Sequence, residues 1–405
     1  MSQHRLIQRR IATPMWATLC AMAATAPALG QEASPVERSP YYIGVSQAFS
    51  HDSNLYRSAS NEISETISIT SLLAGFDQPI GRQRLFGDVS AQINRYNTVD
   101  LLNNKSFAVN AGMDWETVEF LSGALRYSAR NSLADFGTLD GSTVPSDQIT
   151  QQFMASARFG MTSKLSFNAA YEHRDLKYRT DLYANRNYNQ DALSGGFRWG
   201  TADLLVFGLG YRATKGRTPE FQATPPYEDE LDRRDIDFTT SWTPTGASTL
   251  NVRISSTKET HTLPSNNERS AVTGALAWDY RPTAKLNFTT SITRDTGTET
   301  TFLGIPPGGS APLPVDQSSL STSTQVQARY AMTSKISMNG DIRYRRGTLT
   351  TGEEERLTGY GLAINYLPTR SITLGCDVNY EDRDTVNITA YKATVATCSA
   401  QFTLR

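Results

Sequence analysis

The stretch Ile336, Ser337, Met338, Asn339, Gly340, Asp341, Ile342, Arg343, Tyr344, Arg345 decides the fold. Ile336, Met338, Gly340, Ile342 and Tyr344 alternate with Ser337, Asn339, Asp341, Arg343 and Arg345. Successive side chains on an extended strand point to opposite faces, so this strand has one lipid-like face and one wet face. The same rule orders Leu165, Phe167, Ala169 and Tyr171 against Ser166, Asn168, Ala170 and Glu172. It returns in Ile372, Leu374, Cys376, Val378 and Tyr380 against Thr373, Gly375, Asp377, Asn379 and Glu381, and in Leu250, Val252 and Ile254 against Asn251, Arg253 and Ser255. Leu286, Phe288 and Ile292 follow it too, with Thr290 as a mild exception. Segments of ten or so residues with this pattern match the length a tilted strand needs to cross hydrocarbon.

The turns between such segments repeat as well. Short turns are centred on Thr162, Thr201, Thr245, Thr283, Thr333 and Thr369. Each is preceded by an aromatic two or three residues earlier: Phe159, Trp199, Trp242, Tyr280, Tyr330 and Tyr366. An amphipathic ring is stable at headgroup level, so a ring at one height on strand after strand marks a membrane interface. These six form the expected periplasmic girdle, and Tyr171, Tyr211, Tyr344 and Tyr380 end the apolar face on the other side. A propeller or solenoid would also repeat, but would not keep one face free of charge.

Backbone groups facing lipid have no water to bond, so strands can cross a membrane only as a closed sheet. The chain of 405 residues therefore reads as all-β, a transmembrane antiparallel up-and-down β-barrel of about eighteen strands, with sixteen possible. A tenth strand is expected to begin near Arg234. Both ends of the barrel would lie in the periplasm, with the Thr turns there and long polar stretches at 134–147, 215–232 and 298–320 outside. The last of these, with Pro306, Pro307, Gly308, Gly309, Pro312 and Pro314, is either a solvated loop or one folded into the lumen. Such a barrel leaves a water-filled lumen by default.

Residues 1–30 have their own composition. Arg5, Arg9 and Arg10 precede a largely apolar stretch from Ile11 to Ala24, closed by the mostly small residues Ala26, Pro27, Ala28, Leu29 and Gly30. This is the three-part pattern of a signal peptide, with cleavage preferred after Gly30. Cys20 follows Leu19, which argues against a lipoprotein signal. The expected organisation is a signal peptide at 1–30, a short periplasmic segment at 31–40 and the barrel at 41–405. The formal net charge of -1 offers no basic stripe, and nucleic-acid binding is excluded. No apolar run beyond the N-terminal segment reaches the roughly 18 residues of a spanning helix.

The composition is rich in rings, with 18 Tyr, 16 Phe and 5 Trp, and poor in catalytic equipment, with 4 His and 3 Cys. His51, His173 and His261 fall near the outer ends of the first, seventh and eleventh strands, too far apart for a shared metal or triad. No enzymatic activity, metal or cofactor is expected. The run His51, Asp52, Ser53, Asn54 alternates between faces, which suits hydrogen bonding at the mouth of the first loop. Cys376 and Cys398 are equidistant from a turn near Asn387, so they are expected to face each other and form a disulfide. Two free, lipid-facing thiols are the alternative. Mass spectrometry of alkylated, unreduced protein should find neither labelled; two labelled thiols would sink the pairing.

The opening strand, Tyr42, Ile43, Gly44, Val45, Ser46, Gln47, closed by His51, Asp52, Ser53, Asn54, Leu55, Tyr56 and Arg57, resembles the EpsL-type exopolysaccharide-biosynthesis outer-membrane barrels, among the β-barrel porins. One departure is the end, where Phe402 is followed by Thr403, Leu404 and Arg405 instead of closing on an aromatic. The resemblance implies a Gram-negative outer-membrane protein that supports export of exopolysaccharide by passive passage through a hydrated lumen. Its implied partners are outer-membrane lipid, the outer-membrane assembly machinery, periplasmic polysaccharide export proteins and the polysaccharide itself. The residues themselves leave open a general or small-solute porin, or a non-conducting barrel that docks secretion machinery.

Overall fold

A computed structural model describes residues 39–405 apart from 118–119, 140–141, 161–163, 202–203, 224–225, 264–266, 297–317, 350–353 and 386–389. The signal peptide read at 1–30 and most of the segment at 31–40 lie outside the described residues, as does Thr162. Eighteen strands follow one another: β1 Tyr41–Asp52, β2 Glu65–Ile80, β3 Gln83–Tyr96, β4 Asn104–Glu116, β5 Leu121–Leu133, β6 Asp147–Phe159, β7 Leu165–Tyr178, β8 Tyr188–Thr201 and β9 Leu205–Ala223. The second half runs β10 Pro226–Thr245, β11 Ser248–His261, β12 Asn267–Tyr280, β13 Leu286–Asp295, β14 Ser318–Ala331, β15 Ile336–Leu349, β16 Glu354–Tyr366, β17 Ile372–Thr385 and β18 Tyr391–Leu404.

Each strand pairs antiparallel with its sequence neighbours, and β1 pairs with β18, from Ile43 opposite Leu404 to Asp52 opposite Val395. The sheet therefore closes and has no edge, as the alternation predicted. Eighteen strands spaced about 4.8 Å apart and tilted as barrels require give a backbone diameter of roughly 35 Å. The start of β1 and the end of β18 sit at one rim, with the short turns. A two-residue turn joins β2 to β3 through Gly81 and Arg82, where Gly81 takes a φ of +62° that other residues rarely adopt.

The outward face is apolar and open. Phe159, Trp199, Trp242, Tyr280, Tyr330 and Tyr366 all lie exposed on it at the short-turn ends of even-numbered strands. Tyr171, Tyr211 and Tyr344 are exposed toward the other rim, and Tyr380 there stacks with Tyr360 at 6.3 Å. Between the two belts lie such side chains as Leu209, Ile254, Ile342 and Leu362. Large apolar side chains left open on a closed sheet between aromatic belts define a lipid-spanning barrel, and an even-stranded antiparallel barrel of this kind is an outer-membrane protein. Cys376 and Cys398 are register partners on this outward face, with Cα atoms 4.1 Å apart and sulfurs within bonding distance of each other.

Two sequence expectations need correction. Residues 215–232 are not a long external loop: β9 runs to Ala223 and β10 restarts at Pro226, eight residues earlier than Arg234. The two strands, of 19 and 20 residues, project as a ribbon beyond the outer aromatic belt. Residues 134–146 do follow a long connection, but it folds inward over the mouth, as described next. The stretch at 298–320 lies outside the described residues up to 317, and β14 begins at Ser318.

Candidate functional site

The lumen wall is the inward half of every strand, and its charges are sorted by sector. Strands β1 to β4 turn Asp52, Glu65, Asp77, Asp88, Asp114 and Glu116 inward against Arg84 alone, which pairs with Asp77 at 2.6 Å. Strands β5 to β8 turn in Arg126, Arg130, Arg158, Arg174 and Arg198 against Glu172 alone. Apart from His261 at the outer end of β11, the cations on inward strand positions are arginines. All eight lysines sit on outward positions or in turns, for example Lys105, Lys258 and Lys392 on strands and Lys285 and Lys335 in turns. A guanidinium is more weakly hydrated than an ammonium and binds carboxylates through two parallel bonds, so it suits a wall packed with partners.

Those partners are densest on β9 to β13. Arg233 bonds Asp235 at 3.0 Å and Asp295 at 2.9 Å; Arg212 reaches the same Oδ2 of Asp235 at 3.2 Å. Asp237 lies 3.6 Å from Arg253 and accepts a bond from Ser255, while Thr257 donates to Asp235 at 2.5 Å. Asp235 and Ser255 are wholly buried, and Arg233 and Arg253 nearly so. Charges removed from water persist only when paired and hydrogen-bonded; adjacent strands supply Arg212, Thr257 and Ser255 at matching register, and Asp295 reaches Arg233 from β13.

His261 closes this network at the outer end of β11, five residues beyond Ser256, which is level with Tyr211 of the outer belt. Its Nδ1 lies 2.7 Å from Asp229 and its Nε2 2.9 Å from Glu259. These hydrogen bonds, against the opposing effect of burial, push its pKa up to about 9. Burial alone would raise the Asp229 carboxyl, but bonds from His261 and from the Leu263 amide outweigh it and hold it below the usual range. A histidine whose pKa is raised on folding stabilises the fold fully below its unfolded value near 6.5. That contribution is lost as pH rises through 9. The unfolding free energy of the reconstituted barrel, measured by urea titration, should therefore fall between pH 7 and pH 9.5 by on the order of 2 kcal/mol, and His261→Asn should flatten the fall. Equal slopes in the two proteins would refute the assignment.

The outer mouth is roofed by four loops that share an apolar core. Leu55 comes from the β1–β2 loop, Leu102 from β3–β4, Ala134, Phe136 and Leu139 from β5–β6, and Tyr183 from β7–β8. Leu102 and Leu139 are almost fully buried, and the Tyr56 ring meets Phe136 edge-on at 4.8 Å. Polar latches tie the loops to one another and to the wall. The Glu65 carboxylate accepts the backbone N–H groups of Asn97, Thr98 and Val99. Tyr183 donates its hydroxyl toward Ser142 and the Val144 carbonyl, and Arg186 donates to the Thr138 carbonyl. Arg383 on β17 donates to the carbonyl of Gly137, six strand positions around the barrel from β5. The β5–β6 loop thus spans about a third of the mouth as a lid.

The run His51, Asp52, Ser53, Asn54 builds the first corner of that roof. His51 faces outward and pairs with Thr66 at 3.0 Å, whereas Asp52 faces inward and holds Arg57 at 2.8 Å. The chain leaves the strand after Asp52, so alternation stops and the Asn54 amide reaches Asp52 at 2.9 Å. Asn54, fully buried, donates to the carbonyls of Ser58 and Lys392, and Ser53 exchanges bonds with Thr394. These bonds clip the first loop onto β18. His51, His173 and His261 stand on three separate strands, the first two facing outward. Among the described residues no three His, Cys, Asp or Glu side chains are grouped to hold a metal ion. The lid and the arginine sectors were not singled out from sequence; the inward arginines were readable position by position, but the loop core was not.

The sequence matches no protein-family model and no curated protein. Among solved structures it is similar to OpdK of Pseudomonas aeruginosa with vanillate, at 11% identity over 90% of this chain and 99% of that one, TM-score 0.49. It is also similar to OccK2 (OpdF) of Pseudomonas aeruginosa in complex with glucuronate, at 10% identity, 90% and 98% coverage, TM-score 0.48. A BenF-like porin from Pseudomonas fluorescens Pf-5 matches at 10% identity, 90% and 99% coverage, TM-score 0.47. Likenesses this distant carry nothing about function. What stands, on its own strand pairing and surface, is a porin-like outer-membrane β-barrel of eighteen strands with an arginine-lined lumen and a roofed outer mouth.

Proposed function

We propose that the chain is a passive outer-membrane channel for small hydrated solutes. The observation that carries this reading is the lid: four loops packed around Phe136 and Leu102 narrow the outer opening of an otherwise wide barrel. A narrowed, polar conduit sorts solutes by size and by the charges lining it. A hydrated polymer leaving the cell would need that roof displaced for as long as it threads. Export of exopolysaccharide, implied by the opening-strand resemblance, finds no matching family and no separate support in the fold. In this reading residues 1–30 direct export, 31–40 stay in the periplasm, and the assembly machinery inserts the barrel.

Swelling of proteoliposomes tests it. Pentoses and hexoses should enter, and sugar chains of five or more units should enter ~10-fold more slowly, as a constricted pore requires. No swelling with any sugar would remove the channel, and equal rates for long and short sugars would favour a polymer conduit.

A further inference from the structure

Many lumen arginines have a carboxylate partner. Arg126 has Asp114, Arg253 has Asp237, Arg343 has Asp341 at 3.0 Å, and Arg345 has Glu355 at 2.8 Å. Arg158 on β6 and Arg198 on β8 are different. Each points inward, since Phe159, Phe197 and Trp199 beside them are exposed on the outward face. Among the described residues neither makes an ion pair or a side-chain hydrogen bond. They stand one strand apart near the short-turn rim: Arg158 is opposite Asn168, Asn168 is opposite Gly196, and Arg198 is opposite Ser166. Their Cα atoms stand two strand spacings and two residues apart, roughly 12 Å, within the joint reach of two arginine side chains.

Among the described residues no carboxylate pairs with either guanidinium. Asp237, in the row of Gly210 and Gly196, bonds Ser255 and lies against Arg253. Glu116 on β4 shares the row of Arg158, with Ser122 between them, and makes no ion pair with it; Glu172 is four residues along β7 from Asn168, ~13 Å away. The wall beside the pair is stripped of side chains, because Gly196, Gly208 and Gly210 all face the lumen. A Cβ at Gly208 would come within 3.3 Å of Arg198 Cγ and 2.4 Å of Thr239 Oγ1, so glycine lets the Arg198 stem lie against the wall. The result is a shallow recess with two half-buried, mutually repelling cations at its side.

Two like charges drawn partly out of water are costly without a counter-charge, and a guanidinium fork fits the paired oxygens of a carboxylate or phosphate. We propose that Arg158 and Arg198 together form a binding site for one oxyanion group, carboxylate or phosphate, carried by a small solute at the inner mouth. The proposal rests on the channel reading for its role in transport, since it names the solute class that the pore favours. The binding itself does not depend on conduction.

Two measurements on the full barrel test it, with Arg158→Gln/Arg198→Gln as the variant and heat-modifiable gel migration as the check that both proteins fold. In a planar bilayer under a KCl gradient, the potassium-to-chloride permeability ratio should rise about threefold in the variant as the local positive field is removed. Calorimetric titration of the detergent-solubilised barrel with inorganic phosphate and with acetate should show one site in the wild type and none in the variant. Binding of phosphate alone identifies phosphate-bearing solutes, and binding of acetate alone identifies carboxylates. A conducting wild type that binds neither ion, with a variant of unchanged permeability ratio, overturns the site and leaves the channel standing. A wild type that binds but does not conduct removes the channel and keeps the site.

Discussion

Replacing residues 134–146 with a short Gly/Ser link should raise single-channel conductance about twofold, because the loop that spans a third of the mouth is removed from a barrel whose walls are unchanged. The expectation rests on where the loop is held. Phe136 and Leu139 are buried against side chains from three other loops, and Arg383 grips the Gly137 carbonyl from the far wall. A milder change makes the same point. Phe136→Ala deletes the ring that meets Tyr56 and opens a cavity in a core of only six buried residues, at a cost of about 3–5 kcal/mol. The lid should then open intermittently and the current should become noisy between two levels. Conductance that stays the same in both variants would mean that the lid does not limit flow.

Asp235→Ala should destabilise the barrel by about 3–5 kcal/mol. Asp235 is wholly buried and is the shared acceptor of Arg212, Arg233 and Thr257. Without it, two guanidinium groups on neighbouring strands face each other with less negative charge between them. Removing one partner of a buried network costs far more than the network contributes, because the remaining charges keep their desolvation. Asp235→Asn keeps one acceptor oxygen and should cost less. Urea titration of the protein folded into vesicles measures both, and a midpoint for Asp235→Ala equal to that of the wild type would show that water reaches the network.

The outward face was legible because lipid tolerates little variation: Leu165, Phe167 and Tyr171, or Ile342 and Tyr344, must face it. Where that pressure ends, legibility ends too. The outer part of β10 carries Glu228, Glu230, Asp232 and Arg234 beyond the outer belt, so no alternation of apolar residues marked its start. On β2 the pattern is inverted. Register with β1 turns Ile67 and Ile69 inward beside Ser50 and Ala48, and Ser68 and Thr70 outward. The outward polar groups are satisfied by Gln47, which bonds Ser68 at 3.0 Å and accepts from Thr70 at 2.7 Å. The lid was hidden for another reason. Phe136 and Leu139 lie in a polar stretch, and their partners Leu55, Leu102 and Tyr183 are contributed by distant loops, a meeting that no local pattern announces. The candidate oxyanion site is intermediate: alternation alone assigns Arg158 and Arg198 to the lumen, but only the folded structure places them side by side with no ion pair among the described residues.

The segregation of lysine from arginine has a practical chemical consequence. Along the described strands the conduit contains no primary amine, whereas the outward face and turns carry all of them. An amine-directed dye or cross-linker would therefore decorate the rims and outer surface of the folded barrel and leave the inner wall unmodified. The protein can be tethered, imaged or linked to neighbours through its lysines while the solute path stays chemically native.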